Sequence, residues 1–205
     1  KGESIDFGGG PLQNAGSDCG EIGCSDFFVS KISSGGLHLW SKSLGGNADD
    51  DCFSAVADDA GNIYVGGRVK SGQPQIGDDF VGSAGKGDVL VVKMTPAGEY
   101  VWGSAFGGDQ DDTLYSLSSD AAGNVYLIGD FMSPSIDFGG GPLVNKGDQD
   151  IFLVKLDEDG KHVFSRSYGG SQRDNGYSVA VGNDGMVYFT GYFATQTINF
   201  GGDTF

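Results

Sequence analysis

Short runs of apolar and β-branched residues, separated by glycine-rich turns, alternate along the whole chain. In the clearest copy, residues 114–120 and 125–131 flank a short polar turn. Asp120 can accept hydrogen bonds from the turn amides, and Gly123 and Asn124 tolerate positive φ angles, as tight hairpins require. The pattern therefore predicts a β-hairpin at this position.

Two further strands are predicted in the same copy, after a long glycine-rich connection. Residues 150–156 form a nearly continuous apolar run, which is typical of a strand that is buried on both faces. Residues 157–160 carry turn-forming types, and residues 162–168 alternate in part between apolar and polar. No segment shows sustained helical periodicity with capping residues. Each copy thus predicts four antiparallel strands.

The same pattern recurs with a period of 62 residues. Three columns of equivalent positions show it: Trp40, Trp102 and Phe164; Lys31, Lys93 and Lys155; Tyr64, Tyr126 and Tyr188. A fixed internal period of this size indicates a repeat architecture in which each repeat packs on its neighbours. Four antiparallel strands per repeat match one blade of a β-propeller. The predicted fold is therefore an all-β propeller built from four-stranded antiparallel blades.

The recurring motif also resembles a known family. It reads G-x-x-D-x-F/L-x-x-K, then W, then G-G-x-x-x-D, then D-x-x-G-N-x-Y-x-x-G. In the middle copy its residues are Gly85, Asp88, Leu90, Lys93, Trp102, Gly107, Gly108, Asp112, Asp120, Gly123, Asn124, Tyr126 and Gly129. This pattern resembles the bacterial β-propeller repeats called SBBP, with a hairpin similar to that of NHL propellers. The resemblance implies that the hairpin forms the two inner strands of each blade. It also implies a secreted or surface-attached bacterial protein, without implying a specific activity.

With this strand order, we expect one continuous array over residues 1–205 that begins in the middle of a blade. An outer half-blade lies at about 26–44, complete blades at about 52–106 and 114–168, and an inner half-blade at about 176–194. The strands add up to three blades, whereas propellers have four to eight. We therefore expect either the remaining blades of a longer parent chain or a second copy that closes a six-bladed ring.

The charge balance limits the possible partners. The chain has 12 Lys and Arg against 28 Asp and Glu, a net charge of −16. Nucleic acid and anionic membranes are disfavoured, because binding to either depends on basic side chains. No apolar run approaches the roughly 18 residues that indicate a membrane span. Neutral ligands such as sugars, protein partners and divalent cations remain compatible with the composition.

Cysteine usage suggests one disulfide. Cys19 and Cys24 lie in an insertion that makes the first repeat longer than the last. We expect them to form a disulfide if the protein is extracellular, and to be two free thiols otherwise. Cys52 occupies a column with Leu114 and Gly176, which predicts a buried small apolar side chain.

Polar side chains recur in three columns. Asp26, Asp88 and Asp150 precede the lysine strand; Lys31, Lys93 and Lys155 lie within it; Asp50, Asp112 and Asp174 follow the Gly-Gly pair. We expect the aspartates to cap backbone amides and an Asp–Lys pair to join the strands of each blade, since buried charges persist only when paired.

Calcium is the alternative for the third column. Asp50 and Asp112 lie within acidic runs, and calcium takes oxygen ligands. In the third copy, however, Arg173 precedes Asp174, and no copy has EF-hand spacing. Asp50, Asp112 and Asp174 are therefore candidate calcium ligands, and no other cofactor is predicted.

The sequence predicts no enzymatic activity, because it contains none of the short catalytic motifs of hydrolases or phosphate-binding enzymes. Trp40, Trp102 and Phe164 are expected to pack between blades with the tyrosine column, and stacking on sugars is the alternative. The expected role is a binding or structural module, with a lectin-like propeller as the alternative. A hydrolase or lyase would need a polar cluster that breaks the repeat. Arg68, Asp130 and Tyr192, which occupy one column, are the visible hints of such a cluster.

Overall fold

The computed structural model describes residues 4–14, 24–70, 75–76, 79–80 and 85–201, the two shortest stretches by their backbone alone. These residues form antiparallel β-sheets and contain no helix, which confirms the all-β prediction. In particular, this part of the chain has no helix with the length and apolar character needed to cross a membrane.

The strands follow one another with short turns between most of them. In chain order they are β1 (Ile5–Asp6), β2 (Pro11–Leu12), β3 (Phe27–Ile32), β4 (His38–Leu44), β5 (Asp50–Ala57), β6 (Ile63–Val69), β7 (Gln75–Ile76), β8 (Asp79–Phe80), β9 (Asp88–Met94), β10 (Tyr100–Phe106), β11 (Asp112–Ser119), β12 (Val125–Phe131), β13 (Ser135–Asp137), β14 (Pro142–Val144), β15 (Asp150–Leu156), β16 (His162–Tyr168), β17 (Asp174–Val181) and β18 (Val187–Phe193).

The strands form two four-stranded sheets and several two-stranded ones. The four-stranded sheets have the orders β5-β6-β9-β10 and β11-β12-β15-β16, and all neighbours are antiparallel. Strands β3 and β4 form a two-stranded sheet, as do β17 and β18. Short hairpins β1–β2, β7–β8 and β13–β14 complete the list. The four strands predicted between residues 114 and 168 are confirmed within two residues at each end.

The hairpin turn between β11 and β12 has the predicted chemistry. Asp120 Oδ1 accepts hydrogen bonds from the amides of Ala122 and Asn124, each at 3.0 Å. Gly123 has φ +77°, a value that side chains with a Cβ rarely adopt. The local sequence therefore closes the hairpin by itself.

Consecutive sheets stack face to face, and the core lies between them. Val89 and Val91 of β9 pack into one apolar cluster with Leu114 of β11, whereas Leu90 and Val92 pack into another beside β3 and β4. Every residue of β9 is buried. The middle strands are thus covered on both faces, which explains why they read as continuous apolar runs rather than alternating ones.

Lysine and tryptophan side chains join each repeat to the next. Lys93 Nζ and Trp102 Nε1 both donate to the carbonyl oxygen of Glu158, at 2.8 and 3.0 Å, in the turn between β15 and β16. Gly160 in that turn has φ +79°, and a Cβ there would lie 3.0 Å from the Trp102 ring. One repeat earlier, the same bonds join Lys31 and Trp40 to the carbonyl of Pro96, at 2.8 and 3.1 Å.

The expected Asp–Lys pair is present at Lys155, but its aspartate is not the one that precedes it on the same strand. Lys31 and Lys93 bond to carbonyl oxygens of the next repeat, and Lys155 forms an ion pair with Asp120 at 3.2 Å. The physical reason is the strand period of two. Asp150 and Lys155 are five positions apart, so their side chains point to opposite faces of β15. Asp26 and Asp88 stand in the same relation to Lys31 and Lys93.

The aspartates of the preceding column instead lie against glycine. A Cβ added at Gly107 would meet the carboxylate of Asp88 at 2.0 Å, and one at Gly169 would meet that of Asp150 at 2.3 Å. Gly45 and Asp26 repeat this contact, also at 2.3 Å. The first glycine of each Gly-Gly pair is therefore required because a carboxylate occupies the space of its side chain.

The third aspartate column caps backbone amides. Asp112 Oδ2 accepts hydrogen bonds from Gly108 N at 3.0 Å and from Ser133 Oγ at 2.7 Å. Its Oδ1 accepts the amides of Met132 and Ser133, both at 3.0 Å. Asp50 and Asp174 cap the equivalent amides of their repeats. Burial raises the pKa of Asp112, and raises that of Asp50 to about 6.

The cysteines differ in state. Cys24 is disulfide-bonded, and its expected partner Cys19 lies outside the described residues, so that pairing stays a prediction. Cys52 is a free thiol, half-buried rather than fully buried. Burial is the main cause that raises its pKa.

Replacing Lys93 by Met should destabilise the protein by about 1–3 kcal/mol, because a charged hydrogen bond and a cation–π contact with Tyr64 are lost. Lys93 is 7% exposed. The matched variant Lys31→Met should cost less than about 1 kcal/mol, since that lysine is more exposed. Equal shifts in the denaturation midpoints of the two variants would contradict this account of the inter-repeat bond.

The variant Asp112→Asn should be less stable than the wild type by about 1–3 kcal/mol, because the new amide NH₂ must face one of the buried donors. Asp184→Asn is the control. Asp184 is exposed and accepts the amide of Met186, a bond that asparagine also makes. Chemical denaturation of both variants measures the change in the free energy of unfolding. An Asp112→Asn variant as stable as the wild type would contradict the capping role.

Candidate functional site

A row of aromatic side chains runs across three consecutive sheets. Phe53, Tyr115 and Tyr177 lie on β5, β11 and β17 at the 62-residue step, and Tyr192 of β18 follows. Successive ring centroids are 5.6, 5.7 and 5.7 Å apart. We name these four residues the aromatic ladder. Except for Tyr115, all have exposed side chains.

Each of the first three ladder residues sits at a β-bulge. The register of β5 with β6 shifts between Cys52 and Ser54, so Phe53 is the extra residue. Tyr115 and Tyr177 are the extra residues of the equivalent bulges. A bulged residue is left out of the regular cross-strand pairing, and bulges often redirect side chains near functional sites. Three bulges at equivalent positions therefore place three aromatic rings in one row.

The three tyrosines of the aromatic ladder line a polar cleft of about 340 Å³. Its other charged and amide-bearing lining residues are Arg68, Asp111, Asp130, Gln149, Arg173 and Asn175. These side chains come from three strands and three connections. The cleft thus combines stacking surfaces with hydrogen-bond donors and acceptors.

Asp130 is the most buried charged group of the cleft, at 1% exposure. Its Oδ2 accepts a hydrogen bond from Asn175 Nδ2. Burial raises the pKa of Asp130 to about 6, against the opposing effects of bonds from Gln149 and Asn175 and of the nearby Arg173 charge. Asp130 therefore changes charge within an accessible pH range.

Two polar atoms of the cleft residues have no partner within the described structure. Arg68 donates from Nη2 to Asp51 Oδ2 at 2.7 Å, and its Nη1 lies 3.8 Å from Asp111 Oδ1. Its buried Nε has no acceptor, and the buried Oδ1 of Asn175 has no donor. Buried polar groups are ordinarily hydrogen-bonded, so each of these atoms calls for a water or a ligand.

The sequence had pointed to part of this cleft. Arg68, Asp130 and Tyr192 occupy one column with a different residue in each repeat, and the structure brings all three to the same cleft. Tyr115 and Tyr177 were missed as site residues. Their recurrence at 62 residues was visible, but the sequence does not show that each residue sits at a β-bulge.

The other aromatic columns lie where packing was expected, except for Tyr188, which is 61% exposed. Trp102 meets Tyr64 edge-on at 6.1 Å between centroids, and Phe164 meets Tyr126 at 6.3 Å. Tyr64 and Tyr126 are 0% and 4% exposed, so neither offers a face to a sugar. Trp40 packs against a separate buried cluster.

The candidate calcium ligands lie in separate repeats, and two of them, Asp50 and Asp174, have a second carboxylate nearby, that of Asp26 and that of Asp150. The oxygens of Asp50, Asp112 and Asp174 accept amide hydrogens, which compete with a cation for the same lone pairs. Across the part of the chain that the structure describes, no three His, Cys, Asp or Glu side chains are grouped to hold a metal ion. Calcium binding stays a prediction.

A second cavity of about 650 Å³ lies among the hairpin turns at the opposite ends of β5, β11 and β17. Small apolar side chains and turn residues line it, among them Val56, Ala57, Ser119, Ala121 and Val181. It contains no aromatic ring and no basic group. The polar cleft that the ladder tyrosines line is therefore the stronger candidate for a binding site.

A scan against models of known protein families finds no match, and no curated protein matches the chain.

The free energy of unfolding should depend on pH through Asp130. The unfolded pKa is about 3.9 and the folded one about 6, so the folded state binds the proton more tightly. Stability from this group is therefore greatest at low pH and falls as the pH rises through this window. Between pH 5 and pH 7 the loss should be about 1 kcal/mol.

The variant Asp130→Asn should lack this component, whereas Asp59→Asn, at an exposed position, should keep it. Denaturation midpoints of wild type and both variants at the two pH values measure the difference. Identical pH dependence in all three proteins would contradict the assignment.

Proposed function

We propose that the protein is a β-propeller and serves as a non-enzymatic binding module of a secreted or surface-attached bacterial protein. The two four-stranded sheets are complete blades, and β3–β4 and β17–β18 belong to two further blades. Three observations support this: the sequential strand order in each sheet, the stacking of consecutive sheets and the 62-residue period. The resemblance to SBBP repeats supports the location outside the cytoplasm.

The ligand we propose for the cleft is a neutral carbohydrate. The observation that carries this is the aromatic ladder opening into the polar cleft. A tyrosine ring combines an apolar face with a polar tip, so it can cover the C–H face of a sugar while its hydroxyl bonds to water or ligand. The amides of Gln149 and Asn175 can bond to sugar hydroxyl groups, which donate and accept.

The charges of the cleft favour a ligand without net charge. Arg68 and Arg173 are balanced by Asp111 and Asp130. The chain as a whole carries −16, which repels anions over long distances. A neutral glycan is not repelled by the net charge of the chain, and its binding buries no charge without a partner.

A binding role fits the cleft better than hydrolysis or elimination. Its buried carboxyl, Asp130, is held by the Asn175 amide, and Asp111 lies beside Arg68. Both carboxyl groups thus have structural partners, and a catalytic pair would need one of them directed at the scissile bond.

Binding should be lost when the ladder is interrupted. The variant Tyr177→Ala should bind a neutral oligosaccharide about five- to thirtyfold more weakly than the wild type, because a stacking contact of the order of 1–2 kcal/mol is removed. The measurement is a glycan array followed by calorimetric titration of the best neutral oligosaccharide found.

Val163→Ala is the matched control, since Val163 is 50% exposed on β16 and outside the cleft. Its affinity should equal that of the wild type. Silence of the wild type across a broad array would overturn the carbohydrate proposal. Cleavage products in the titrated samples would overturn the non-enzymatic one.

A further inference from the structure

In both four-stranded sheets, the second and third strands pair in the same register. Tyr64 of β6 lies opposite Lys93 of β9, and Tyr126 of β12 lies opposite Lys155 of β15. The ammonium groups lie 5.3 and 4.8 Å from the centroids of these tyrosine rings. The rule therefore combines a fixed antiparallel register with a cation–π contact.

Strands β18 and β3 carry the two halves of a third such pair. Tyr188 is the tyrosine of β18, and Lys31 is the lysine of β3. Within the described ranges, β18 pairs only with β17, and β3 pairs only with β4. Each thus has one edge whose amides and carbonyls can pair with another strand.

Exposed side chains on β18 and β3 lie where pairing with a further strand would cover them. Tyr188 is 61% exposed, whereas its equivalents Tyr64 and Tyr126 are 0% and 4% exposed. On β3, Phe28 and Ile32 are 49% and 61% exposed. Both edges therefore present apolar groups at positions that the complete sheets cover.

We propose that β18 of one copy of this chain pairs with β3 of a second copy. The register follows from the complete sheets: Tyr188 opposite Lys31, with the flanking pairs Val187–Ile32 and Phe193–Asp26. Lys31 of the second copy then lies over Tyr188, and its Trp40 meets the ring edge, as Trp102 meets Tyr64.

A second copy fits this edge because the chain itself presents the complementary half. Lys31 also keeps its bond to Pro96 of its own chain, as Lys93 keeps its bond to Glu158 while lying over Tyr64. If both chains use both edges, the contacts are reciprocal, as a closed twofold dimer requires. This inference concerns assembly and is independent of the ligand proposed for the cleft.

Light scattering after size exclusion tests the assembly directly. The expected mass is twice 21.2 kDa. The variant Tyr188→Lys, which places a second ammonium opposite Lys31, should weaken the dimer by roughly tenfold or more. Adding Lys31→Glu to it should restore association, while Val163→Lys, at an exposed position on β16, should leave it unchanged.

Disulfide trapping tests the register in a Cys52→Ser background. The pair Tyr188→Cys and Lys31→Cys should give a covalent dimer under mild oxidation, and Tyr188→Cys with Val29→Cys, shifted by two residues, should not. A wild-type mass of 21.2 kDa at every concentration would overturn the proposal and favour the blades of a longer chain as the occupant. Equal trapping of both cysteine pairs would overturn the register.

Discussion

The middle strands of each complete sheet are buried on both faces, and the rest of the structure depends on this. Neighbouring residues of β9 enter two different cores, Val89 and Val91 on one side, Leu90 and Val92 on the other. A sheet of this kind has no polar face to offer to water, so it is stable only between two neighbours. Stacking of repeats is therefore a condition of folding for each repeat.

Polar contacts fix how the stacked sheets sit on one another. The lysine and tryptophan of one repeat converge on a single carbonyl oxygen in the next, which ties the outer strands together. Apolar packing alone is non-directional. The hydrogen bonds to Glu158 and Pro96 give the stack a defined register, and the buried carboxylate of Asp112 does the same for the loops around it.

The division between repeated and unrepeated positions has a physical meaning here. Residues that every repeat shares, such as Asp112 and Lys93, make contacts that each repeat needs. Residues that differ between repeats, such as Arg68, Asp130 and Tyr192, gather in one cleft. The repeated positions supply the aromatic row beside this cleft, and the unrepeated positions supply different polar groups from each sheet.

The sequence by itself determined the strand positions, the hairpin turns and the period, because these follow from local rules: alternation, turn chemistry and spacing. It also identified Asp112 as a backbone cap. Only the tertiary structure decided the partner of each lysine, since that depends on which face of a strand meets which turn of the next repeat. It alone decided that Phe53, Tyr115 and Tyr177 sit at bulges and form one row, because a bulge is a property of two paired strands and of their register.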